Sequence, residues 1–166
     1  DIGYKPQSAN GMMVNKLFVD NLNHLWIASD DGLIWANTTA KQYKHYRYYK
    51  DFPKNNGLLE NDINCVHVNQ QGRVWVGTNA HFYEFNPKTE VFKYFPILSN
   101  GQIPSLPNEL PQRNFVAGKR IFDMVERPDG QIFIGTNEGL NLYNPRTQSF
   151  TNYFNDPLFR KLPINF

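Results

Sequence analysis

The 166-residue chain has one cysteine, Cys65, and this excludes an intramolecular disulfide and any cysteine-rich metal site. Charge is also sparse: Asp, Glu, Lys and Arg make up 19% of the residues and the net charge is +2, with no run of Lys or Arg. That argues against a nucleic-acid surface, and no nucleic-acid partner is expected. No apolar run reaches the roughly 18 residues that a membrane span needs. The opening "DIGYKPQSANG" lacks the basic and apolar regions of a secretory signal, and a chain that starts and stops around its repeats reads as a piece of a longer polypeptide. No segment offers a helical periodicity of useful length; "NNGLLENDI" (55–63) is too short and too rich in turn residues.

The chain is rich in aromatics, at 15%, and it repeats itself. "GRVWVGTNAHFYEFNPKTEVFKYF" (72–95) aligns without a gap on "GQIFIGTNEGLNLYNPRTQSFTNYF" (130–154), and an earlier copy, "HLWIASDDGLIWANTTAKQYKHYRYY" (24–49), precedes both. Trp26, Trp75 and Phe133 are the anchor aromatics, 49 and 58 residues apart. Such a period signals a propeller or a solenoid. Each copy parses into four short apolar or alternating segments separated by turn residues, the pattern of an antiparallel meander. In the last copy these are "RIFDMVE", "QIFIGT", "LNLYN" and "FTNYF", broken at Pro128-Asp129-Gly130, Asn137-Glu138-Gly139 and Asn144-Pro145-Arg146-Thr147. Segments such as "LWIAS" and "VWVGT" are apolar on both faces, as expected of sheets covered on both sides by neighbours.

The fold expected is all-β: a β-propeller fragment of about three four-stranded antiparallel blades, over 12–49, 61–95 and 119–154. Residues 156–166 read as the approach to a further blade. Three blades do not close a ring, since propellers have typically four to eight. Further blades of the same chain, or self-association through the blade ends or as a propeller dimer, are the expected protein partners.

The string G-x-(I/V)-W-(I/V)-G-T-x-x-G-L-x-x-Y-N-P-x-T-x-x-F-x-x-Y, spread over these copies, resembles the two-component regulator propeller repeat. Departures are His81 where the pattern has Gly, Phe133 where it has Trp, and Asn37-Thr38 without the Pro. They bear on local turns and packing. The resemblance implies the extracytoplasmic, periplasmic sensor region of a bacterial hybrid two-component system. It further implies a non-enzymatic module responding to an oligosaccharide, with a membrane-spanning histidine kinase in the full-length protein. No cofactor is expected.

Strand parity assigns the loops to two faces. The links from second to third strand, and from each blade to the next, share an upper face; the other links share the lower. The long insertions, 47–62 and 96–119, are therefore both upper, where elaborated loops on a rigid scaffold carry function. In and beside them lie Tyr48, Tyr49, Phe52 and Phe115 for stacking on a sugar, and Lys50, Lys54, Arg113 and Arg120 for charge-assisted hydrogen bonds. The same aromatics suit plugs between blades, and the same cations a solvated rim. Asp30, Asp31 and Glu138 occupy upper turns where the acid and base of a lyase or glycan hydrolase can be placed, but they are ordinary turn residues too. Cys65 and His67 share a strand face, as a core pair or as two of the ligands a metal would need. His24, His45 and His81 have no carboxylate or second His at metal spacing. Ser29, Thr78 and Thr136 recur at one repeat position, which favours a turn hydroxyl over a nucleophile. A purely structural scaffold for partner proteins is the remaining alternative.

Overall fold

The computed structural model describes residues 11–48, 57–99 and 114–153. Sheet 1 contains β1 (Val14–Val19), β2 (Leu25–Ser29), β3 (Gly32–Asn37) and β4 (Gln42–Tyr46). Sheet 2 contains β5 (Ile63–Val68), β6 (Val74–Thr78), β7 (His81–Asn86), β8 (Val91–Leu98) and the two-residue β9 (Val116–Ala117). Sheet 3 contains β10 (Ile121–Glu126), β11 (Ile132–Thr136), β12 (Gly139–Asn144) and β13 (Ser149–Asn152). Within each sheet the strands follow chain order as an antiparallel meander, and β1, β5 and β10 lie side by side as the inner strands. Sheet 2 departs from the expected four strands, because the end of the second insertion adds β9 parallel to the last two residues of β8.

The turns show why this sequence folds this way three times. Lys41, Glu90 and Gln148, at one repeat position between third and fourth strands, all take positive φ, at 52°, 57° and 54°. Each first strand carries a register shift after its first paired residue, at Val14/Lys16, Ile63/Cys65 and Ile121/Asp123. Such a bulge bends and twists the strand next to the axis. Ser29 Oγ, Thr78 Oγ1 and Thr136 Oγ1 donate to the carbonyls of Gly32, His81 and Gly139 at 2.8, 3.0 and 2.9 Å. The recurring hydroxyl therefore closes a turn. Gly32 and Gly139 take φ of 115° and 130° there. His81 cannot adopt such a backbone cheaply, and in sheet 2 the ladder stops one pair earlier, at Gly77–Phe82.

Two cores lie between the sheets. Trp26, Leu33 and Tyr46 of sheet 1 pack on Val66, Val74, Val76 and Phe85 of sheet 2. Trp75, Phe82 and Phe95 of sheet 2 pack on Ile121, Ile132, Ile134 and Tyr143 of sheet 3. All five residues of "VWVGT" are buried because alternate side chains enter different cores. Trp26 and Trp75 are buried as expected of the anchor positions, but Phe133 is only half-buried. Its ring points away from sheet 2, and no described sheet covers that side. Leu17 and Val19 on the outer side of sheet 1, and Val125 on that of sheet 3, are likewise exposed.

Candidate functional site

On the upper face the structure builds a polar hub around Glu60, a residue that no sequence motif marks. Tyr83 Oη donates to Glu60 Oε1 at 2.9 Å, His81 Nδ1 lies 3.0 Å from the same oxygen, and the Thr78 hydroxyl also reaches it. Burial by itself would raise the Glu60 pKa, but the bonds from His81, Thr78 and Tyr83 hold the carboxyl below its ordinary value. The same burial, with the Glu60 charge next to it, pushes the Tyr83 phenol upward. The hub pins the end of the first insertion onto sheet 2, reinforced by the Leu59 amide donating to Tyr83 Oη at 3.2 Å. The departure of residue 81 from glycine to histidine is the one sequence signal that pointed here.

The expected ligand residues on this face divide. Tyr49, Lys50, Phe52, Lys54 and Arg113 lie outside the described residues. Tyr48 packs against the core between sheets 1 and 2, and its backbone exchanges hydrogen bonds with Asn61 at 2.6 and 3.1 Å. Phe115 is buried beside β9. Arg120 remains on the rim, donating to Asn64 Oδ1 at 3.2 Å with its guanidinium 5.7 Å from the Phe122 ring. Thus Arg120 is the described candidate that still presents a cation to the face.

Histidine pairing is where tertiary structure adds most. Contrary to the expectation that His24, His45 and His81 lack a matching carboxylate, each lies by one: Asp20, four residues earlier in the chain, and the more distant Asp31 and Glu60. His67 lies 3.3 Å from Glu126. Burial first, then the nearby Arg47 charge, lowers the His45 pKa against the opposing pull of Asp31. Among the described residues no three His, Cys, Asp or Glu side chains are grouped to hold a metal ion. Cys65 sits in the core, its thiol pushed up to about 12 by burial and the Asp123 charge, so it is inert. Asp31 is engaged by Arg47, and Glu138 by Lys119 at 3.6 Å.

Two concavities lie on the lower face, one between sheets 1 and 2 and one between sheets 2 and 3. The cleft between sheets 1 and 2 encloses about 260 Å³, and that between sheets 2 and 3 about 620 Å³. They use equivalent positions: Asp20, Leu22, His24 and Trp26 with Val68, Gly72 and Pro87 in the first, Asn69, Gln71, Arg73 and Trp75 with Glu126, Gly130 and Pro145 in the second. In the first, the Asn21 side chain donates across the gap to the Gln70 carbonyl at 3.1 Å. The equivalent positions in the second are Gln70 and Pro128, and no such bond joins them among the described residues. This untied gap is the wider one.

With this geometry in hand, comparison with known proteins adds a repeat type and a fold. Residues 57–80 match the two-component regulator propeller model. The matched segment includes Glu60, Thr78 and the whole of β5 and β6. The extracellular domain of BT3049 from B. thetaiotaomicron, described as a hybrid two-component system, superposes with a TM-score of 0.62 at 20% identity, over 89% of this chain and 20% of that one. The WD40 β-propeller domain of Doa1 superposes with a TM-score of 0.51 at 15% identity, over 83% of this chain and 36% of that one. These likenesses show the propeller fold, and this chain spans a fifth of the length of the BT3049 domain. The curated proteins contain no match to the chain. Among the described residues no helix is long and apolar enough to cross a membrane.

Proposed function

We propose that this chain is part of an extracytoplasmic, periplasmic sensor propeller of a hybrid two-component system, a non-enzymatic module that recognises an oligosaccharide on its upper face. The regulator propeller repeat at 57–80 is the observation that supports it. In this reading the upper loops, with Tyr48, Tyr49, Lys50, Lys54, Arg113, Phe115 and Arg120, form or support the sugar-binding surface. A change in their geometry passes to a membrane-spanning histidine kinase. The Glu60–His81 hub transmits such a change, because it ties an insertion to the strands of sheet 2 through a single carboxylate. Exposed Leu17 and Val19 on one side and Val125 on the other suit further blades of the same polypeptide or a second copy.

The test is calorimetric titration of the intact propeller with a panel of neutral oligosaccharides, followed by chromatography of the mixture. Binding with full recovery of the sugar is expected, and Arg120→Gln weakens it about 10-fold, the scale of one charge-assisted hydrogen bond. Product that accumulates with turnover would instead establish the lyase or hydrolase reading.

A further inference from the structure

The cleft between sheets 2 and 3 differs from its repeat-equivalent in chemistry as well as in size. At the position of Asp20, sheet 2 has Asn69. Asp20 accepts the Leu22 and His24 amides with Oδ1 and the Trp26 indole N–H, at 3.0 Å, with Oδ2. Asn69 accepts the matching amides of Gln71 and Arg73 with Oδ1, at 3.0 and 2.9 Å, but its other atom is an amide nitrogen, which donates to Glu126 Oε1 at 3.3 Å. Among the described residues Trp75 Nε1 is therefore a fully buried donor without an acceptor, and Trp75 lines the cleft. Buried polar groups are rarely left so.

The mouth of the same cleft carries three guanidinium groups, from Arg73, Arg127 and Arg146. Arg73 lies 3.5 Å from the mostly buried Glu84, and Arg127 3.2 Å from Asp129 in an exposed pair. Arg146 is exposed on the turn after β12, and among the described residues its guanidinium has no ion-pair partner. A volume near 620 Å³ lies within the range of small-ligand sites.

We propose that this lower-face cleft binds a ligand bearing an oxyanion, the carboxylate or sulfate of an acidic saccharide or a free inorganic anion. Arg146 and Arg73 make the charge-assisted hydrogen bonds, and the Trp75 end of the cleft supplies an unanswered donor. The site is separate from the upper-face sugar surface proposed above, and stands or falls independently of it.

Three probes are titrated into the intact propeller: an oligogalacturonate, its neutral galactose counterpart and sodium sulfate. The indole N–H resonances are followed by NMR. The oligogalacturonate or sulfate is expected to shift the Trp75 signal and leave that of Trp26, already bonded to Asp20, in place. Arg146→Gln, on an exposed turn and so folding normally, weakens this binding about 10-fold, and added salt weakens it further. Response to oligogalacturonate alone assigns the ligand to an acidic saccharide; response to both with equal affinity assigns it to the free anion. Equal binding of the neutral oligomer, no shift at Trp75 with any probe, or affinity unchanged by Arg146→Gln overturns the proposal.

Discussion

The two interblade clefts are built by the same repeat positions, yet one is a small aromatic notch and the other a wide polar cleft. Across the first, Asp20 faces the sheet-2 residue Val68; across the second, Asn69 faces Glu126, which occupies the position of Val68. A carboxylate at 69 would keep the indole bond of Trp75 but place two like charges together. The asparagine satisfies Glu126 and leaves Trp75 Nε1 unpaired. Similarly, the His24 ring packs tilted against Trp35 with centroids 4.9 Å apart, where the equivalent residues Arg73 and Glu84 form an ion pair. A repeat thus sets the frame and the turn chemistry, while substitutions at facing positions act in pairs across the gap.

The largest expected effect tests whether the anchor positions are equivalent. Trp75→Ala should cost about 3 to 5 kcal/mol in denaturant unfolding of the intact propeller, because the ring is buried against sheet 3. Phe133→Ala should cost about 1 to 2 kcal/mol, since its ring is already partly in water. Equal costs would show that the outer side of sheet 3 is as covered as the gap between sheets.

A sharper version concerns Gly77, whose repeat-equivalents are Ala28 and Gly135. A Cβ on Gly77 would lie 2.6 Å from Ile121 Cγ2 and 2.7 Å from Cys65 Sγ, whereas one on Gly135 would meet nothing closer than the Asp123 carbonyl at 3.8 Å. Gly77→Ala should therefore destabilise by about 1 to 3 kcal/mol through overpacking, and Gly135→Ala should stay within about 0.5 kcal/mol of the parent. Thermal melts of the two variants side by side decide it.

Asp20 supplies the next smaller effect. Burial would raise its pKa, but the bonds from Trp26, His24 and Leu22 lower it overall. A depressed folded pKa contributes stability above the ordinary carboxylate pKa, and that contribution is lost as pH falls through the folded value. Asp20→Asn should cost about 1 to 2 kcal/mol at neutral pH, with the difference from the parent shrinking below about pH 4. A difference that stays constant down to pH 2 would remove the ionised carboxylate from the account.

The smallest effect isolates the pairing across the wide cleft. In a cycle of Asn69→Asp and Glu126→Val, the single Asn69→Asp change should be unfavourable, and the double variant should recover about 0.5 to 1 kcal/mol relative to additivity. Additive energies would mean that Asn69 and Glu126 do not hold each other in place.

Much of this architecture was open to reading from the residues alone. Aligned copies, turn residues at fixed offsets and strands apolar on both faces require neighbours on both sides, so the number of sheets, their antiparallel order and the role of Ser29, Thr78 and Thr136 follow from local chemistry and the period. The β9 addition does not, since a two-residue parallel pairing has no periodicity to detect. The partial exposure of Phe133 depends on what stands next to the sheet, to which its own segment is blind. Tyr48 and Phe115 carry the composition of a sugar site, but packing places one against a core and the other inside the protein. Every histidine–carboxylate pair except His24–Asp20 joins residues at least 14 apart, which spacing rules do not see. The sequence by itself determined the repeated unit, because each blade is specified by short-range turn geometry and strand alternation. Only the tertiary structure decided which residues face one another across the gaps, because those pairs are formed by sheet stacking between segments far apart in the chain, 59 residues for His67–Glu126 and 57 for Asn69–Glu126.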